Sequence, residues 1–111
     1  MRYKAMSKMV QVITTIDNLD TAGKISESLV NQKLAACAQI LGPIESIYFW
    51  ENKMEKTREW QCVFKTRKKL YPEVQKVILD LHPYKIPEII MLPILKGSKD
   101  YIKWIKTETK S

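Results

Sequence analysis

Ile47, Tyr48, Phe49 and Trp50 stand in succession, and this run constrains the fold more than any other feature of the chain. A β-strand sends successive side chains to opposite faces. Four large apolar residues in a row therefore give a strand with bulk on both faces, each of which needs cover. Trp60 and Phe64 add to that burden from the segment expected to pair with it. The chain has 111 residues, enough for one domain with a single core and not enough to hide all of this surface alone. Left in water, it would form a large apolar patch of the kind that marks an interface. Self-association is the expected remedy, and a C-terminal helix folded over the patch is the competing one.

Element order follows from local chemistry. Residues 9–16, rich in β-branched side chains, read as a buried strand. Asp17, Asn18 and Asp20 favour a turn and a helix N-cap. Ala22, Ile25, Leu29 and Val30 then recur at helical spacing, which predicts an amphipathic helix over 20–33. Residues 36–50 and 58–66 predict a long hairpin turning at Glu51-Asn52-Lys53, with Pro43 marking an edge or a bulge. Leu70, Val74, Val77, Ile78 and Leu81 predict a helix over 70–81, with Pro72 in its first turn and His82-Pro83 as its stop. Residues 88–95 predict a fourth strand bulged at Pro93, and Ser98 caps a last helix over 99–108 whose Tyr101, Ile102, Trp104 and Ile105 face the core. The sum is an α+β, ferredoxin-like βαββαβ sandwich with an added C-terminal helix, one domain over residues 1–111. Residues 1–8 are expected to be a flexible or extended N-terminus, with Met6 or Met9 at the start of the structured part.

Composition narrows the function. No run approaches the roughly 18 apolar residues of a membrane-spanning helix, and the basic N-terminus lacks the apolar segment of a secretory signal. Two cysteines, Cys37 and Cys62, are too few for a disulfide-stapled secreted fold and are expected as buried free thiols in a cytoplasmic protein. The net charge of +7 raises nucleic acid as a partner, but the positive residues are dispersed, with one local run at Lys65, Arg67, Lys68 and Lys69. Residues 59–66 lack the Gly-aromatic pattern of an RNA-recognition strand, and no phosphate-cradling glycine loop is present. Neither nucleic-acid binding nor membrane insertion is expected.

Five stretches carry a closer likeness: Leu34–Ala38, Ser46–Glu51, Lys65-Thr66, His82–Ile90 and Asp100–Ile105. In order and content the chain resembles the CutA divalent-cation tolerance family. The resemblance implies a homotrimer with subunits joined strand edge to strand edge, an architecture shared with PII signalling proteins, and no enzymatic activity general to the family. It also implies a cleft between subunits lined by Cys37, Tyr48, Trp50, Glu59, Lys65, His82, Tyr84 and Glu88, with Trp104 nearby.

A thiol and an imidazole suit copper or zinc, so Cys37 and His82 are the candidate metal ligands, with copper or another divalent cation as the candidate cofactor. The chain has one histidine and no paired-ligand spacing, which argues against a closed site within one subunit. The copper site of some relatives uses a first-strand cysteine and two consecutive histidines. Here Thr14 and Leu81 occupy the cysteine and first-histidine positions, and only His82 remains. The structural alternative for His82 is a helix-end side chain bonded to backbone. Three functional expectations follow: a metal-response trimer binding divalent ions weakly, a PII-like regulatory or scaffolding trimer taking a small effector or partner protein in the cleft, and an enzyme using Lys65, Glu59 and His82 as acid–base groups.

Overall fold

The computed structural model describes residues 8–111, so most of the N-terminal segment treated above as flexible or extended lies outside the described residues. The elements are β1 (Met9–Ile16), α1 (Leu19–Asn31), β2 (Cys37–Trp50), β3 (Lys53–Arg67), α2 (Tyr71–Leu81), β4 (Ile89–Pro93) and α3 (Lys99–Glu108), with a short 3-10 turn at Lys68–Leu70. The strands form one antiparallel sheet in the order β2-β3-β1-β4, the ferredoxin-like arrangement.

Local signals place the helices as expected. Asn18 caps α1, its Oδ1 accepting from the Thr21 N–H at 3.0 Å, and Ala22, Ile25 and Leu29 are buried beneath it. Pro72 sits in the first turn of α2, and His82, held extended before Pro83, ends it. Val10, Val12 and Ile16 of β1 alternate toward these helices and meet Cys62 and Phe64 of β3 in the main core. Phe64 is fully buried there, so it adds nothing to the uncovered face. Leu81 is exposed, because α2 buries only the stripe through Val74 and Ile78.

α3 lies on the opposite face of the sheet. Ile105 packs with Met9 and Ala36, and Arg67 Nε donates to Thr109 Oγ1 at 3.0 Å. Only Ile105 of α3 is buried; Ile102 packs partly, while Tyr101 and Trp104 stay exposed, stacked on each other at 5.5 Å. Ser98 stands at the N-cap without a side-chain capping bond. α3 therefore covers one end of its sheet face and leaves the other open.

The hairpin departs most from expectation. β3 begins at Lys53 rather than residue 58, and only Trp60–Arg67 pairs with β1. Among the described residues, from Ile44 to Glu59 the two strands pair only with each other, as a ribbon extending past the rest of the sheet. Pro43 fits both of its readings, since β2 is an edge strand and its register shifts between Leu41 and Ile44. The Gly42-Pro43 peptide is cis. Pro93 closes β4 with no register shift against β1, so the expected bulge is absent there.

Candidate functional site

A cleft of about 650 Å³ opens where the ribbon leaves the sheet. One wall is the ribbon face carrying Ser46, Tyr48, Trp50, Glu55, Thr57 and Glu59. The other is the end of β1, at Thr15 and Asp17, with the connector Tyr84-Lys85-Ile86 and Glu88. Cross-strand register builds the ribbon wall, with Tyr48 opposite Glu55 and Ser46 opposite Thr57 on one face. The Thr57 hydroxyl donates to the Tyr48 oxygen at 3.3 Å.

His82 anchors the connector. It is 8% exposed, its Nε2 lies 2.8 Å from the Thr15 carbonyl, and its Nδ1 accepts the Tyr84 N–H at 3.2 Å. A carbonyl can only accept and a backbone N–H can only donate, so these two partners fix the neutral ring with its proton on Nε2. The Tyr84 ring meets the imidazole edge-on with centroids 4.5 Å apart, and its hydroxyl donates to Glu59 Oε2 at 2.7 Å. Burial, then the Glu59 hydrogen bond and the charges of Glu59 and Asp17, push the Tyr84 hydroxyl well above its ordinary value. Glu59 is 5% exposed at the back of the cleft. Thr15 Oγ1 donates to Glu88 Oε1 at 3.3 Å.

Five of the eight expected site residues, Tyr48, Trp50, Glu59, Tyr84 and Glu88, therefore line one cleft, with His82 behind them. Cys37 and Lys65 do not join them. They face each other across β2 and β3 at the other end of the sheet, where Lys65 Nζ donates to Gln39 Oε1 at 3.0 Å and sits 5.7 Å from the Tyr101 ring centroid. Trp104 lies with Tyr101 on α3 and does not line the cleft. Lys65 is six residues from Glu59 along β3, about 20 Å for an extended strand. An acid–base set of Lys65, Glu59 and His82 is thus not assembled within one chain.

The metal donors fare similarly. Thr15, which holds His82, pairs with Gln61, whereas Cys37 pairs with Lys65 four residues further on. That offset alone is about 13 Å, and both His82 nitrogens are already engaged. Among the described residues no group of three or more His, Cys, Asp or Glu side chains is placed to hold a metal ion. A copper site of Cys37 and His82 does not fit a single chain. Thr14 faces the helix-side core beside Cys62, away from the cleft. Cys62 is buried, and burial raises its thiol pKa, while Cys37 is half-buried; neither forms a disulfide.

Sequence reasoning missed Thr15, Asp17, Glu55, Thr57 and Lys85. Alternation along residues 53–59 would have found Glu55 and Thr57 once that segment was recognised as strand.

A four-stranded ferredoxin-like sheet with a long ribbon, two helices on one face and one on the other defines the structural class. Residues 10–108 match the CutA1 divalent ion tolerance protein family, and the chain belongs to it. The divalent-cation tolerance protein CutA of Pyrococcus horikoshii is 37% identical over 102 residues, covering 92% of this chain and 99% of that protein. The crystal structure of CutA1 from Shewanella sp. SIB1 superposes with a TM-score of 0.91 at 36% identity, covering 94% of this chain and 97% of that one. The chloroplastic CutA protein of Arabidopsis thaliana is 37% identical over 99% of this chain, which spans only 62% of that relative's length. A CutA structure from Archaeoglobus fulgidus is described as periplasmic, so relatives occupy more than one compartment. No helix among the described residues is long and apolar enough to cross a membrane.

Proposed function

We propose that this chain acts in divalent-cation tolerance as a homotrimer without a catalytic step, its cleft receiving a ligand rather than transforming one. The projecting ribbon carries the assembly. Phe49 is 74% exposed, Met54 61% and Ile47 57%, on a two-stranded segment with no third strand beside it among the described residues. Isolated two-stranded ribbons are marginal in water, and apolar residues on both faces need further surface to cover them. Two further copies supply that surface and complete the cleft beside it. A cytoplasmic setting is supported by two thiols that lie on opposite faces of the sheet and form no disulfide.

Copper or another divalent ion reaches Cys37 and His82 together only if different copies present them and His82 gives up a hydrogen bond. That cost favours the second reading, a PII-like trimer in which a small effector or partner segment occupies the cleft and His82 stays structural. Native mass spectrometry during copper and zinc titration separates the two. Three chains of 13.0 kDa give a particle near 39 kDa in either case. If Cys37 and His82 are ligands, Cys37→Ala or His82→Ala abolishes stoichiometric ion uptake at unchanged mass. If His82 is structural, His82→Ala lowers thermal stability and leaves uptake as it was. No ion held tighter than about millimolar would end the metal reading, and a monomer mass would end the trimer.

A further inference from the structure

The cleft reverses the charge of the protein around it. The chain carries a net +7, yet among the described residues Asp17, Glu55, Glu59 and Glu88 line the cleft against Lys85 alone. Glu59 sits deepest, 5% exposed. Among the described residues it takes one hydrogen bond, from Tyr84, and forms no ion pair. A carboxylate withdrawn from water without a countercharge is costly, and an incoming cation removes that cost.

The acidic groups are also spread out. Among the described residues no three His, Cys, Asp or Glu side chains converge as a metal ion requires. Apolar surface lies between them: Tyr48 is directly opposite Glu55, and Trp50 belongs to the same ribbon wall. Aromatic faces attract ammonium groups and pack well against methylene chains. A cation suited to this cleft thus carries several separated charges on an apolar stem. Its volume, about 650 Å³, is that of an ordinary small-molecule site.

We propose that the cleft binds an aliphatic polyamine. One ammonium meets Glu59 at the back, others meet Asp17, Glu55 and Glu88 nearer the mouth, and the methylene stem lies along Trp50 and Tyr48. The assignment rests on the cleft being the ligand site and names the class of ligand.

Calorimetric titration of the full chain with spermidine at low salt tests it, with native mass spectrometry of the same sample giving the subunit count. Saturable binding is expected, weakened at least about tenfold, or roughly 1.4 kcal/mol, by Glu59→Gln. Trp50→Ala and the exposed-site variant Glu88→Gln should each weaken it severalfold, and Glu27→Gln, outside the cleft on α1, should leave it unchanged. Glu88→Gln keeps the test decisive if Glu59→Gln fails to fold. Equal affinity in all three cleft variants, or no saturable binding by the folded chain, overturns the polyamine assignment whatever the mass. A single-chain mass overturns the trimer instead.

Discussion

The His82 ring and the Tyr84 side chain are spent on holding the connector against the sheet. His82 joins the end of β1 to the Tyr84 backbone, and the Tyr84 hydroxyl then reaches Glu59 on β3. The tyrosine end of this relay has a pH consequence. Because its folded-state pKa is raised above the ordinary 10.0, the unfolded chain loses this proton first as pH rises. The stability it contributes is therefore complete below about pH 10 and declines as pH climbs further. Denaturant midpoints measured across alkaline pH should fall more steeply for the native chain than for Tyr84→Phe. A spectrophotometric titration should show one tyrosine ionising after the others. Sequence could single out His82, Tyr84 and Glu59 as chemistry-bearing, but their order as a relay depends on Thr15, which spacing does not reveal.

Among the elements, β2 shows how one residue fixes the course of a strand. Gly42 has φ of 154°, and a Cβ there would stand 2.6 Å from Trp60 Cδ1. The indole thus packs directly on the glycine at the point where the register shifts. Gly42→Ala should cost about 1–3 kcal/mol from backbone strain and the displaced ring, read as a lower urea midpoint. All four strands and three helices were legible from periodicity and caps, because those signals act over a few residues. Faces were less legible. Leu81, Tyr101 and Trp104 are apolar enough to suggest burial, yet α2 and α3 each bury a narrow stripe and leave these three outside it. The first five residues of β3 were missed for the converse reason: residues 53–57 are mostly polar and become strand through pairing with β2 rather than through burial.

For the whole molecule, the apolar run that opens the hairpin's far end is the dominant fact. In one copy it stays exposed, since α3 reaches only the end of the sheet around Met9 and Ala36. Phe49→Lys should therefore leave the fold and its melting of the isolated chain nearly unchanged, because the side chain is 74% exposed. The same variant should lower the particle mass seen by light scattering if the ribbon is the assembly surface, and an unaltered mass would remove the ribbon from that role. The candidate site was legible in five of its lining residues, Tyr48, Trp50, Glu59, Tyr84 and Glu88, and not in its grouping. Glu59 and Lys65 share a strand and a face, but six residues of extended chain separate them, and only the register of three strands shows that Lys65 and Cys37 belong to the other end.

The cleft's two walls belong to different parts of the molecule. One is the ribbon, tied to the body at its base, and the other is the connector locked onto β1. Anything that bridges them ties the ribbon to the body at a second point. If subunits dock through that ribbon, occupancy and association are linked functions, and each must shift the other's equilibrium by the same factor.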